Sequence, residues 1–433
     1  MVDNQIDTFT IEQINLFQQQ ELKKLLLYLA TNSPFYKKVF AAHNVTPDKI
    51  NTIEDLQKLP FTTKEDLQKY SKDFICVPPA AIIDYVTTSG TMGEPVTIAL
   101  TDKDLDRLAY NEYNSFRITG GSNADIYQLM TTMDRRFMAG LAYFLGARRL
   151  GAGIVRVGNG IPELQWDTIK RISPTVIICV PSFILKLIEY AESKGIDYKN
   201  SSVKKAICIG EPLRNEDFSL NTLGKKIADK WNIQLFSTYA SSEMAAAFTE
   251  CSAGQGGHLQ ADLLLIEIVD EHDQPVRSGE TGELVITTLG MEAMPLLRFK
   301  TGDICRIYTE SCSCGRHTPR ISPVLGRKKQ LIKYKGTTLY PSYLYDILDT
   351  IDQVHSYQIE IFTNNIGTDE ILIKIGCTTF SESLEKEIKD HFRAKLRVTP
   401  NIQFENIETL NKLVYPEMSR KPVKFIDKRI SLT

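Results

Sequence analysis

The chain has 433 residues, a formal net charge of −2, 42% hydrophobic residues and 24% charged residues. That length exceeds what one compact core holds, so an ordinary globular protein of two or more domains is expected. The near-neutral charge excludes a strong global field toward nucleic acid or an acidic membrane, and the longest apolar runs, such as TVIICVPSFIL, fall far short of a bilayer span.

The N-terminus, MVDNQIDTFTIEQINLF, is acidic and amphipathic and lacks the basic region and apolar core of a secretion signal. A cytoplasmic setting is expected, in which the eight cysteines are reduced thiols or metal ligands. Residues 8 to 45 repeat apolar residues at helical spacing. FTTKEDLQKY carries a second helix start, with Thr63 or Thr62 as its cap. From about residue 80 to 290, short β-rich runs (DIYQLMT, AGIVRVG, TVIICV, KKAICIG, IQLFSTY) lie roughly a helix apart, which predicts a mainly parallel, doubly wound sheet. DLLLIEIVDEHDQPVRSGETGELVITTL reads as strand, polar turn, strand, and is expected to be antiparallel. After GRKKQLIKYKGTTLYPS the elements shorten. YLYDILDTI and SESLEKEIKDHFRAKL read as helices, SYQIEIFTN and ILIKIGCT as strands. The predicted architecture is α/β: a large first domain over residues 1–326, with sheets flanked by helices, and a small α+β domain over 327–433, joined near Gly326.

One loop between these elements is chemically suggestive. TTSGTMGEP, residues 87–95, follows the apparent strand IIDYV. Glycine lets backbone approach closely, so N–H groups and hydroxyls of such a loop can wrap phosphate oxygens. It lacks the Gly-Lys-Ser/Thr ending of a Walker A loop, and the bland alternative is a Ser/Thr turn. Four other stretches accompany it in order: IGEPL (209–213), STYASSE (237–243), LLRFKTGD (296–303) and GRKKQLIKYKG (326–336). Together they resemble the motifs of adenylate-forming enzymes. The N-terminal run SPFYKKVFAAHNVTPDKINTIEDLQKLPFTTKEDL and the later CSCGRHTPRISPVLGR are similar to the phenylacetate-CoA ligase family over nearly the whole chain.

That resemblance implies an ATP-dependent, AMP-forming acid–thiol ligase that makes an acyl-CoA from phenylacetate or a related aryl or small carboxylate through an acyl-adenylate. Its partners would be the acid, ATP and coenzyme A, with no nucleic acid or membrane, and a homodimer is plausible. It implies that Thr87, Thr88, Ser89, Gly90, Thr91 and Gly93 hold the ATP phosphates, although Glu94 stands where the family carries Lys. Gly210, Glu211 and Pro212 would lie against adenine. Tyr239, Ala240 and Ser242 match the aromatic motif that ends on Glu243, the implied Mg²⁺ ligand. Asp303 and Arg327 would bind ribose. Lys329 falls at the hinge, Lys333 near the thioester-forming face, and Lys421 is the implied catalytic lysine, with Lys424 as the fallback. RRFMAGLAYFLGARRLG resembles the acyl-pocket segment, with Phe137 and Gly140 matching and Ala139 in place of a glycine. The charged Asp134, Arg135 and Arg136 before it suit a polar acid or simply a solvated turn. Two other functions stay open: an adenylyltransferase that passes AMP to a hydroxyl, and a nucleotide-binding protein without catalysis.

A separate reading concerns metal. Cys251 and His258 lie in ECSAGQGGHL, and Cys312 and Cys314 in ESCSCGR. Three thiols and an imidazole form a structural-zinc complement, although the spacing is not the paired CxxC pattern. His317 is an alternative ligand. Cys179, Cys208 and Cys377 read instead as thiols buried singly on strands.

Overall fold

The computed structural model describes residues 6–88, 95–334, 337–364, 369–378, 380–416 and 422–429. Two compact units divide the chain. One comprises Met1–Ser219 and Lys226–Pro323, the other Leu220–Lys225 and Val324–Thr433.

The first unit opens on helices α1 (Ile11–Asn32) and α2 (Pro34–Ala42). The single helical pattern read over 8–45 is thus broken at Ser33, which ends α1 and caps α2. Pro34 explains the break. It has no N–H to give α1 and disfavours helical backbone in the residue before it, yet suits the first position of α2. Thr63, not Thr62, caps α3 (Lys64–Lys69) in a reciprocal capping box with Asp66. Thr62 is buried and donates to the Leu297 carbonyl at 2.7 Å.

Strands β1 (Ile82–Thr87) and β2 (Thr97–Thr101) form an antiparallel hairpin that leads into α4 (Asp102–Ile118). Strands β3 (Ile126–Leu129), β4 (Gly153–Arg156), β5 (Val176–Cys179), β6 (Lys205–Ile209) and β7 (Gln234–Ser241) follow. They run parallel in the order β4-β3-β5-β6-β7. Helices α5 (Met138–Leu150), α6 (Pro162–Ile172) and α7 (Pro181–Lys194) make the returns from β3 through to β6, and the helix Thr222–Lys230 precedes β7. The unbroken apolar run of β5 is buried at every position, as expected of a sheet covered on both faces. Cys179 and Cys208 are buried opposite each other on β5 and β6. Cys377 departs from expectation: it is only half-buried, just beyond a strand end.

At β7 the sheet changes sense. β8 (Ala246–Glu250) pairs antiparallel with it, and the path continues through β9 (Gly257–His258) and β13 (Arg320–Ile321) to β12 (Phe299–Tyr308), β11 (Thr281–Thr288) and β10 (Leu264–Val269). The β10–β11 pair is antiparallel, as its strand–turn–strand pattern predicted. The second unit is α+β. Its sheet runs Asn401–Glu405, Asp369–Gly376, Ser356–Thr363, Phe425–Asp427, and its isoleucine-rich centre packs on Pro341–Asp349 and Glu382–Leu396.

Helix α4 carries charged groups into the core of the first unit. Asp104 is fully buried and accepts from the backbone N–H groups of Glu292 at 2.7 Å and Ala293 at 2.9 Å. Glu112 is buried against Gly146 of α5, where an added methyl would stand 2.3 Å from the Glu112 Cβ. Asn111 donates to its Oε1 at 3.0 Å. Burial pushes this carboxyl up to about 8 from 4.5, so the folded chain holds a proton that the unfolded chain releases. Stability therefore falls as pH rises through that window. Glu112→Gln should flatten the decline, by at least about 1 kcal/mol between pH 5 and pH 8. Urea midpoints at the two pH values measure it, and parallel slopes for both proteins would contradict it.

Candidate active site

Open α/β sheets bind ligands beyond the carboxyl ends of their strands. Here β6 ends on Ile209, paired with Thr238 of β7, so Gly210 emerges beside Tyr239. Gly210 is exposed with φ +80°, a backbone conformation suited to glycine. The Glu211 carboxylate turns back onto α7, accepting from the Ser182 N–H at 2.9 Å and its hydroxyl at 3.0 Å. That leaves the exposed Gly210 and Pro212 as a backbone ledge. The Tyr239 hydroxyl donates to Asp303 Oδ2 at 2.6 Å. Asp303 lies on β12, across the antiparallel part of the sheet, and is 5% exposed. The fold therefore brings together an aromatic and a carboxylate that lie far apart in sequence.

Of the phosphate-loop residues, Thr87 and Thr88 are described. Ser89, Gly90, Thr91 and Gly93 lie outside the described residues. The loop links two strands of a hairpin, and its base is closed twice: Thr88 N–H donates to the Val96 carbonyl, and Val96 N–H to the Thr88 hydroxyl, both at 3.0 Å. Thr87 N–H donates to the Arg136 carbonyl at 3.0 Å. This stitches the hairpin to the turn before Phe137, in which Arg135 and Arg136 both have φ +58°. Phe137 immediately precedes α5 and is half-buried, as is Ala139 within the helix. Gly140 packs so closely on the strand-end backbone that a Cβ would stand 2.0 Å from the Thr132 carbonyl oxygen.

Glu243 sits in the short turn between β7 and β8, next to Ser242, while Ala240 lies within β7 opposite Ala247 of β8. The Glu243 carboxylate is 3.9 Å from the Lys64 ammonium. Lys64 had been read only as part of a helix start, and nothing in its spacing marks it as facing a carboxylate 179 residues later. The turn is held from below by α4. The Arg107 guanidinium donates to the Ala245 carbonyl at 2.6 Å, and the Ala247 N–H donates to Asn111 Oδ1 at 3.0 Å. Neither residue belongs to a recognisable motif.

The four predicted metal ligands converge. The ligand atoms of Cys251, His258, Cys312 and Cys314 all lie within 4.8 Å of one another. Cys251 and Cys312 sulfurs are 3.7 Å apart, and Cys314 Sγ is 3.5 Å from His258 Nε2. A tetrahedral ion with arms of about 2.3 Å to sulfur and about 2.05 Å to nitrogen requires separations of about 3.75 and about 3.6 Å. His258 Nδ1 lies 3.2 Å from the Thr318 hydroxyl, the outer partner that orients a ligating imidazole. Burial, then Arg316 and Arg320, push His258 down to about 3, which keeps it neutral. Burial raises the Cys314 thiol, but hydrogen bonds from the Arg316 N–H and guanidinium and from the Cys312 and Cys251 thiols together hold it below its usual value. His317 is outside this group, with Nδ1 2.8 Å from the Ser311 hydroxyl.

In the second unit, Arg327 closes a two-residue strand, and Lys329 is exposed in the one-turn helix after it. Arg429 donates to the Lys329 carbonyl at 2.8 Å. The side chain of Lys333 is exposed, and its N–H donates to Asp369 at 2.7 Å. Lys424 rests 4.8 Å from the Tyr357 ring centre. Lys421 lies outside the described residues.

The chain matches the AMP-binding enzyme family over residues 24–293 and the AMP-binding enzyme C-terminal domain over 336–429. It is 31% identical over 387 residues to the phenylacetate-coenzyme A ligase of Thermus thermophilus, covering 87% of this chain and 84% of that one. The Escherichia coli enzyme of the same name is also 31% identical, over 390 residues, with 88% and 86% covered. The chain belongs to the phenylacetate-coenzyme A ligase family of AMP-binding enzymes. A solved 2-hydroxyisobutyryl-CoA ligase has the same fold, with TM-score 0.84 at 20% identity, covering 98% of this chain and 91% of that one. The family makes this chain an AMP-forming acyl-CoA ligase that uses ATP and coenzyme A, and neither the adenylyltransferase nor the inert binding protein is favoured. Among the described residues no helix is long and apolar enough to cross a membrane.

The Tyr239–Asp303 hydrogen bond fixes the Asp303 carboxylate, which the sequence resemblance implies as a ribose ligand. Tyr239→Phe should raise KM for ATP by about 3–10-fold and leave KM for the acid nearly unchanged. Steady-state kinetics with each substrate varied decides it, and an equal rise in both constants would contradict the assignment.

Proposed function

We propose that this ligase activates phenylacetate or a related small aryl carboxylate, and that residues 1–326 carry the nucleotide and acyl site while 327–433 form a mobile domain. The observation that carries the reading is the Tyr239–Asp303 pair beside the exposed Gly210 ledge, at the carboxyl edge of the parallel strands. The names of the relatives, phenylacetate-coenzyme A ligases, support the choice of acid. A homodimer in the cytoplasm, whose reducing medium suits the eight free thiols, completes the proposal.

The roles follow the family resemblance. Thr87, Thr88, Ser89, Gly90, Thr91 and Gly93 cradle the β- and γ-phosphates with N–H and hydroxyl donors. Gly210, Glu211 and Pro212 lie along adenine with Tyr239 and Ala240, while Asp303 and Arg327 hold the ribose. Glu243, with Ser242 beside it, is a hard oxygen ligand that suits Mg²⁺. Mg²⁺ bound there would neutralise phosphate charge. An oxygen of the substrate carboxylate attacks the α-phosphorus, and the bond to pyrophosphate breaks. Lys421 steadies the carboxylate and the α-phosphate as the negative charges approach. The coenzyme A thiol then attacks the acyl carbon, loses its proton, and AMP leaves with the bonding electrons. Lys329 is the hinge between the two half-reactions and Lys333 serves the second. Phe137, Ala139 and Gly140 line the acyl pocket, and the close packing of Gly140 supports an exacting shape there.

Lys421→Ala should cut acid-dependent ATP–pyrophosphate exchange by at least about 100-fold while leaving ATP affinity within about threefold. Exchange that survives this change would transfer the role to Lys424 or remove it.

The Cys251, His258, Cys312 and Cys314 group fits a structural Zn²⁺ on the separations given above, with four protein ligands and no open position. It would cross-link the loop after β8, strand β9 and the β12–β13 loop. Purified protein should contain about one zinc per chain, and Cys312→Ser should lose the metal and unfold at markedly lower temperature. Full stability in a metal-free protein would refute the site.

A further inference from the structure

We infer that Arg107 and Asn111 of α4 are positioning residues for the Glu243 turn, setting where its carboxylate stands. This rests on the reading of Glu243 as the Mg²⁺ ligand. The turn from Ser242 to Ala245 is only four residues long and contains a strained position: Ala245 has φ +45°, a conformation that costs a residue with a Cβ. Something must over-determine it. Arg107 is fully buried and donates to three backbone carbonyls, Ala245 at 2.6 Å, Leu263 at 2.7 Å and Leu289 at 2.8 Å. A planar guanidinium reaches all three at once, whereas an ammonium on a flexible stem cannot reproduce the fork. One helical turn further on, Asn111 accepts from the Ala247 N–H at 3.0 Å, two residues beyond Ala245. Its amide is itself oriented, because its Nδ2 donates to Glu112 at 3.0 Å. The strained residue is thus gripped at its own carbonyl and just beyond it from one rigid helix face. Two residues before it stands Glu243, whose carboxylate is 3.9 Å from Lys64. If the turn relaxed, Glu243 would shift relative to Lys64 and to the phosphates.

The test compares ATP binding by calorimetry in Mg²⁺ and in excess chelator, on the full chain and on Asn111→Ala, Arg107→Lys and Glu243→Gln. Hydrogen exchange of the 240–247 backbone is followed in the same proteins. Asn111→Ala and Arg107→Lys should lose most of the Mg²⁺-linked gain in ATP affinity, about tenfold, while affinity in chelator stays within about twofold. Exchange should rise in 240–247 before it rises elsewhere. A purely structural role would lower the melting temperature and leave the Mg²⁺-linked gain intact, which overturns the inference. Should Arg107→Lys fail to fold, Asn111→Ala decides alone. If Glu243→Gln abolishes the gain while Asn111→Ala preserves it, the inference falls and the Glu243 reading stands. If Glu243→Gln keeps the gain, the Glu243 reading itself is refuted.

Discussion

A charged group deep in a protein survives only where its hydrogen bonds are satisfied, and such a group then dictates where its partners stand. Arg107 and Asp104 impose that constraint on the first unit. One face of α4 sends donors to the carbonyls of Ala245, Leu263 and Leu289 and a carboxylate to the N–H groups of Glu292 and Ala293. The Leu263 carbonyl also accepts from the Leu289 N–H at the end of the β10–β11 ladder, whereas the groups of Ala245, Leu289, Glu292 and Ala293 belong to turns and loops outside the strands. Loops that would otherwise wander are tied to a single helix, and the Glu243 turn is among them. Losing the guanidinium would remove a donor from the Ala245 and Leu289 carbonyls and free the turn, while Leu263 would keep the Leu289 N–H at 2.8 Å.

The position of the site follows from the change of sense at β7. The parallel strands bring Gly210 and Tyr239 to one edge, and the antiparallel strands bring Asp303 back to meet Tyr239. Neither half of the sheet could assemble this set alone. The cysteine–histidine group lies along the same antiparallel path, where β9 and β13 are only two residues long. Strands that short have few ladder bonds, so a four-ligand cross-link there would supply order that the backbone does not.

Much of this was legible in the sequence. Period-two and apolar runs located β3 to β7, β10 and β11, because each is long enough to show its burial pattern. The short β9 and β13 escaped because two residues carry no periodicity. The break at Ser33 was written in Pro34 but was masked by continuous helical spacing on either side. Tyr239, Asp303 and Glu243 could be named through the family resemblance, and the cysteine–histidine group because its chemistry is distinctive. Lys64, Arg107 and Asn111 could not. Their partners are backbone atoms or residues far along the chain, and ordinary polar residues on a helix give no sign of what they will face.

The most direct test of the account is ATP–pyrophosphate exchange on the intact protein across a panel of carboxylates, followed by addition of coenzyme A. Exchange that requires an aryl-acetate or similar acid, and gives way to thioester and AMP once the thiol is supplied, is the predicted result. Exchange with no thioester formed from any acid in the panel would contradict it.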